Sequence, residues 1–288
     1  MSPDARDPDK LKAQQREEWD AAASGWAKWW HVFERGASTV SERLCDRAAL
    51  DTGWRVLDIA TGMGEPALTA ARRVGVAGRV LAVDQSAGMI AAARRRAQEL
   101  GIMNAEFRVA DAEHLELGED GFNAALCRWG LMFMPDLEAV LAAVRRRLKP
   151  GGVFVTCVWG APERVPMISL GGDEVRRIAG IPARRADALD PFRLSDSRLL
   201  VDAFERAGFQ HLQVEKREVV FEFESPEVFT TFRREVSAPL RTLLARKPAA
   251  VGEAVVEAMT EAARRYAGGC GPLRLVNELV CVSGQAPG

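Results

Sequence analysis

Cysteine and histidine are scarce in this chain of 288 residues. Its five cysteines, Cys45, Cys127, Cys157, Cys270 and Cys281, are scattered, with no CxxC pair and no Cys/His cluster. That spacing argues against a zinc-type site, and no metal is expected. Four of the cysteines stand in apolar contexts and read as small buried hydrophobes. Histidine occurs three times, at His31, His114 and His211. No nucleophile stands in dyad or triad spacing with a base, so covalent catalysis is not expected. No long apolar run occurs and the N-terminus is polar, so neither a membrane span nor a signal peptide is expected. A cytoplasmic, reducing compartment follows as the expectation. Charge of either sign is not in excess: 39 Lys and Arg stand against 40 Asp and Glu, a net charge of −1. The electrostatic footprint of a duplex-binding protein is missing, and no nucleic-acid partner is expected. The runs Arg94-Arg95-Arg96 and Arg145-Arg146-Arg147 sit among Ala, Leu and Val at helical spacing and read as solvated helix faces. What is present is a 48% hydrophobic, 27% charged composition, enough for a packed core in one large domain or a domain with a lid.

The chain divides by pattern. Residues 1–12 are polar and read as a disordered tail. Residues 13–50 read as a helical N-terminal lid, in two helices at 13–35 and 38–50. Trp19, Trp26, Trp29, Trp30 and Phe33 crowd into the first. Strands and helices then alternate over 51–160. Strands are expected at 54–60, 79–83, 105–109, 122–127 and 153–159, with helices at 65–74, 86–100 and 136–147. That rhythm predicts right-handed βαβ units and a parallel sheet. Residues 161–224 hold an aperiodic insertion, a helix at 196–207 stopped by Gly208, and a long strand at 209–223. A helical lid insertion is expected at 225–268, and a last strand with a tail at 269–288.

The most informative segment is Val56-Leu57-Asp58-Ile59-Ala60-Thr61-Gly62-Met63-Gly64-Glu65-Pro66-Ala67-Leu68. It reads as a buried strand, a glycine turn and a helix start. Gly62 and Gly64 let backbone approach a ligand closely, and the helix offers unpaired N–H groups at its positive end. Gly62-x-Gly64-x-x-Ala67, with Asp84 downstream, also fits the loose dinucleotide fingerprint. Asp84 can accept from both ribose hydroxyls in either case. Asp58 separates the readings, because a carboxylate beside the turn repels a pyrophosphate and suits a cationic amino-acid tail. Asp111 and Ala112, after the third strand, suit an adenine amino group and ring. Lys149-Pro150-Gly151-Gly152 enters the fifth strand through a tight turn.

The segments VLDIATGMG, VLAVDQS, VADAEHL, LCRWGLMFMPD and LKPGGVF occur in this order over 54–160. Together they resemble the class I S-adenosylmethionine-dependent methyltransferases, in particular the ubiquinone/menaquinone-biosynthesis-type branch. The resemblance implies an α/β, Rossmann-like fold with a seven-stranded mixed sheet whose last strand is antiparallel. It implies S-adenosyl-L-methionine as cofactor and S-adenosyl-L-homocysteine as product. Asp58, Ala60, Thr61, Gly62 and Gly64 would then face the methionine part. Asp84 would take the ribose, with Gln85 and Met89 beside the adenine, and Asp111 and Ala112 would recognise the adenine edge. Cys127 would offer its carbonyl to the cofactor's amino group, with Arg128 beside it.

On the acceptor side, Trp26, Trp29, Trp30, Trp129 and Phe133 are expected to wall a substrate pocket, with Phe229, Phe232 and Met259 as further lining from the lid. His31 is the candidate general base, ahead of His114. The expected activity is in-line methyl transfer to carbon, oxygen or nitrogen of a small, largely apolar or aromatic acceptor, in small-molecule or secondary metabolism. An NAD-dependent oxidoreductase, and a cyclase or regulatory protein on the same fold, stay open as alternatives, as does a homodimer.

Overall fold

The computed structural model describes residues 8–118, 121–181 and 189–288. Seven strands form one sheet in the order β3-β2-β1-β4-β5-β7-β6. They are β1 (Arg55–Ile59), β2 (Arg79–Asp84), β3 (Ala105–Val109), β4 (Phe122–Arg128), β5 (Leu148–Trp159), β6 (Gln210–Phe223) and β7 (Leu273–Gln285). β1 to β5 pair in parallel, and β7 runs antiparallel between β5 and β6. This is the mixed sheet that the family resemblance implied. Val56, Leu57 and Ile59 in β1 and Phe154, Val155 and Val158 in β5 are fully buried. Such continuous apolar runs belong to strands covered on both faces. The covering helices include α2 (Ala67–Val74), α3 (Ala87–Glu99), α4 (Leu137–Arg147) and α7 (Ser197–Arg206).

The strand order reverses between β1 and β4, so their connections leave in opposite directions and open a crevice at their carboxyl ends. Asp58 to Gly64 and Arg128 to Phe133 meet there. β6 runs parallel to β5, so it ends at Phe223 on the same side of the sheet. The insertion that follows therefore rises beside the crevice. It was expected as one helical stretch at 225–268 and is three helices, α8 (Pro226–Val236), α9 (Ala238–Arg246) and α10 (Ala249–Ala267). Ser237 ends α8 and caps α9 through Leu240 N, and the helix after Lys247-Pro248 starts anew. The aperiodic stretch after Trp159 holds two short helices, α5 (Pro166–Ser169) and α6 (Gly172–Ala179).

The N-terminal segment departs most from expectation. α1 is a single helix, Pro8–Arg47, where a tail to residue 12 and two helices were expected. Residues 1–7 lie outside the described residues. The break expected near Gly36 does not occur, because Gly36 is a contact position. A Cβ there would stand 2.2 Å from the Val220 carbonyl oxygen of β6, and one at Gly25 would stand 2.1 Å from that of Glu235 in α8. The two glycines let α1 lie flat on β6 and α8.

Gly36→Ala should therefore lower unfolding stability by about 1–3 kcal/mol, read in urea at unchanged m-value. Unchanged stability would mean that α1 and β6 part easily.

Candidate functional site

The turn after β1 is held by two carboxylates, the buried Asp58 and the half-buried Asp84. Asp58 is fully buried, and its Oδ2 accepts from Ala67 N at 3.1 Å, at the start of α2. Its Oδ1 has no hydrogen-bond partner, nor has the buried Thr61 hydroxyl oxygen Oγ1. Burial pushes the Asp58 carboxyl up to about 8, and Thr61 and the Arg128 charge offset only part of this. Asp84 accepts from Gly62 N through Oδ2 and from Ser86 N through Oδ1, each at 2.9 Å. It thereby ties the first turn to the second. Burial raises its carboxyl too, against those backbone bonds. Ala60, Gly62 and Gly64 take φ of 54°, 54° and 95°. A Cβ at Gly62 would meet nothing within 4 Å, so its backbone faces open space.

Two further residues, Ser86 and Asp20, complete this end. Ser86 caps α3 through Met89 N at 3.1 Å, and its hydroxyl donates to Asp20 of α1. Asp20 also accepts from Gly88 N at 2.9 Å. An acidic residue on a separate helix gives no spacing signal for this contact. Gln85 is half-buried, and Met89 is buried with Met63, Ala23 and Ala92 under Trp19, Trp26 and Trp30.

After β3, Asp111 accepts from Glu113 N at 2.9 Å and from Lys12 Nζ at 2.9 Å. Burial would raise its carboxyl, but these bonds outweigh burial and hold it below the usual range. Ala112 beside it is half-buried. Among the described residues, Asp111, Glu113 and His114 form the one group spaced to hold a metal ion. The Lys12 ammonium pairs with both of its carboxylates.

At the end of β4 the Cys127 carbonyl accepts from the Thr156 hydroxyl at 3.0 Å, so one of its two lone-pair directions is already used. Arg128 was expected beside the cofactor and turns instead toward α1. Its guanidinium donates to both oxygens of Glu34 at 3.1 Å, to the Ala37 carbonyl at 3.1 Å and to Ser41 Oγ at 2.8 Å. Burial raises the Glu34 carboxyl, and Arg128 opposes it. Arg96 also departs from the solvated face expected of its run. It donates to the Met63 carbonyl, lies 4.1 Å from the Trp30 ring centre and stands 3.6 Å from Glu65. Gly130 was missed as well: a Cβ there would stand 2.6 Å from the Ala60 Cβ and 2.8 Å from Cys127 Sγ. It allows the turns after β1 and β4 to touch.

Most of the aromatic side chains expected to wall a pocket touch one another. Trp129, half-buried with φ 58°, stacks on Trp159 at 4.5 Å and meets Phe33 edge-on at 5.5 Å. Phe33 meets Trp26 at 5.0 Å, and Trp26 meets Phe232 at 6.2 Å. Trp29 contacts Phe232 at 5.8 Å and donates its Nε1–H to Glu235, so it joins α1 to α8. Phe133 is half-buried against Trp19 at 5.4 Å. Phe229 packs on Phe223. Met259 lies elsewhere, in a small core with Ala179, Leu240 and Val255. His31 is exposed on α1, between buried neighbours that face the other way. That position gives it no reach to a buried acceptor, and the base role falls away. His114 is exposed beside Asp111.

Residues 56–152 match the model of a methyltransferase domain. The ubiquinone/menaquinone biosynthesis C-methyltransferase UbiE of Coxiella burnetii is 32% identical over 149 residues, covering 51% of this chain and 56% of the relative. The aklanonic acid methyltransferase DauC of a Streptomyces species is 35% identical over 138 residues, covering 45% and 63%. The chain thus spans about half the length of the curated relatives it matches. Among solved structures, the [4+2]-cyclase SpnF superposes with a TM-score of 0.55 at 21% identity, covering 88% of this chain and 82% of that one. At that identity the likeness establishes the fold.

The raised Asp58 carboxyl sets a pH dependence. Its folded value of about 8 lies above an unfolded value of about 3.9, so the native state binds the proton more tightly. The stability it contributes is whole below about pH 4 and is lost as pH rises through about 8. The Asp58→Asn variant should therefore lose less stability than the parent between about pH 5 and about pH 8.5 in urea unfolding. Parallel pH profiles would show that Asp58 is already ionised in the native state.

Proposed function

We propose that this chain, with a class I methyltransferase domain at residues 56–152, transfers a methyl group from S-adenosyl-L-methionine to a small, largely apolar or aromatic acceptor. The observation that carries the reading is the adjacency of two features. Trp129, the start of the aromatic wall, follows β4 directly, and the Asp58 turn touches that same segment through Gly130. The relatives named for ubiquinone/menaquinone biosynthesis and for aklanonic acid agree with an apolar acceptor.

The residues present fit the cofactor. The unpartnered Asp58 Oδ1 and Thr61 Oγ1 offer acceptors for the ammonium of an amino-acid tail, with Ala60, Gly62 and Gly64 lending a close backbone. Asp84, pinned by Gly62 and Ser86, is set to take ribose hydroxyls beside Gln85 and Met89. Asp111 keeps further lone pairs for an adenine amino group, with Ala112 leaving room for the ring. Cys127 stands at the same end of β4, its carbonyl held by the Thr156 hydroxyl. Arg128 serves through α1 by holding that helix over the turn. When bound, the cofactor supplies an electrophilic methyl on a positively charged sulfur. The chain's own part is to orient, to exclude water and to hold the acceptor in line. Trp26, Trp29 and Trp30 do so from α1, and Trp129 and Phe133 from the loop after β4. We assign no general base. An acidic oxygen or an activated carbon needs little help to lose its proton.

The methyltransferase-domain match over residues 56–152 favours S-adenosyl-L-methionine over NAD. Among the described residues, no helix is long and apolar enough to cross a membrane. We place the reaction in the cytoplasm on cysteine usage: Cys45, Cys127, Cys157 and Cys281 are buried free thiols.

Asp84→Ala should weaken S-adenosylhomocysteine binding by one to two orders of magnitude, roughly 1.5–3 kcal/mol, through lost charge-assisted bonds. Calorimetric titration of the folded variant against the parent checks this, with NAD as the second ligand. Tight NAD binding with no response to S-adenosylhomocysteine would overturn the reading. Labelled S-adenosylmethionine with phenols, quinones and indoles then tests for transfer.

A further inference from the structure

Arg233 on α8 is a cation without a counter-ion. Its Nη1–H donates to the Met167 carbonyl of α5, just beyond the carboxyl end of β5. Met167 is itself fixed, its N–H donating to the buried Asn277 of β7 at 2.8 Å. No carboxylate among the described residues pairs with Arg233. Its Nε is buried and has no hydrogen-bond partner. Burial draws its pKa down to about 10, with no neighbouring charge acting on it. The contrast with Arg128 is direct: that buried guanidinium has Glu34, Ala37 and Ser41 around it, whereas Arg233 is half-buried with its Nε enclosed and unpartnered. A buried charge left unpaired is destabilising, so the position calls for a ligand that supplies the missing partner. With Nη1 engaged, Nε–H and the adjacent Nη2 form the side-on edge of the guanidinium. That edge takes a carboxylate through two parallel bonds.

The surroundings point the same way. Trp26 Nε1 and Trp129 Nε1 are buried and likewise have no partner. Both indoles touch Phe33, and Trp26 touches Phe232, the residue before Arg233. The aromatic wall thus carries two unpartnered hydrogen-bond donors and meets α8 at Phe232, one residue before Arg233.

We propose that Arg233 is an anion-recognition residue for the acceptor, which is an aromatic compound bearing a carboxylate or an equivalent oxyanion. This rests on the methyltransferase reading, since the occupant of the aromatic wall is taken to be the methyl acceptor. An acceptor that arrives ionised leaves no proton at that oxygen for a base to remove, in keeping with the exposed His31.

The test uses the full chain saturated with S-adenosylhomocysteine, titrated with 2-naphthoate and with the neutral isostere 2-naphthamide. The parent should bind the carboxylate at least tenfold more tightly than the amide, read by quenching of tryptophan fluorescence. Arg233→Met should lose that preference and keep its affinity for S-adenosylhomocysteine, and Arg233→Lys should keep part of it. Ligand-free Arg233→Met should also melt at or above the parent's temperature, because the unpaired charge is gone. A lower melting temperature with the carboxylate preference retained would make Arg233 a brace for α5 and overturn the proposal. Equal affinity of the parent for the two probes, or no binding of either, would overturn it as well. Failure of S-adenosylhomocysteine to bind the parent sinks the methyltransferase reading separately. The naphthoate titration without it still decides whether Arg233 selects anions.

Discussion

The ion pair between Arg128 and Glu34 is the contact on which the site depends. It joins the end of β4, at the crevice of the sheet, to the middle of a 40-residue helix far away in sequence. A buried guanidinium stripped of its partners is strongly destabilising, so α1 is held where Glu34, Ala37 and Ser41 meet it. With that point fixed, the rest of α1 follows as a rigid rod. Gly36 lies against β6, Trp30 covers the glycine turn, Asp20 reaches the start of α3, and Lys12 reaches Asp111. One pair thus decides which side chains can surround a ligand.

Charge is sorted across the crevice. On the side of β1, β2 and β3 the groups at or just past the strand ends are carboxylates: Asp58 with an unpartnered oxygen, Asp84 and Asp111. On the side of α8 and the aromatic wall they are donors: Arg233 and the indoles of Trp26 and Trp129. A sulfonium-bearing amino acid suits the first side, and we propose an oxyanion-bearing aromatic for the second. Their charges are opposite, so each ligand would draw the other toward the line of transfer. Trp30, between Arg96 and Arg128, stands where the two sides meet.

Much of this was legible before any coordinates. The strand-helix rhythm over 54–160 placed β1 to β4 within a residue or two. The glycine turn with Asp58 and Asp84 lies at the crevice where the strand order reverses. Those signals are local, because period and turn chemistry act over a few residues. The partners of these residues were harder to read. Arg96 looked like surface because its run sits at helical spacing among alanines, and only the packing of α3 brings it to Met63 and Trp30. Gly36 read as a break because a glycine in a helix and a glycine against a strand look alike in sequence. Arg233 gave no signal, since an arginine in an amphipathic helix is ordinarily solvated.

By itself the sequence determined the strand and helix pattern of the core, the glycine turn after β1 and the aromatic character of α1 and of the segment after β4. Each of these follows from short-range periodicity, backbone freedom at glycine and side-chain type. Tertiary structure decided which arginine is paired and which is left free. Arg128 and Arg233 are the same residue type in apolar company, and only the fold gives Glu34 to one and no carboxylate among the described residues to the other. Ion pairing depends on distances of a few ångströms between segments remote in sequence, and burial makes those distances count.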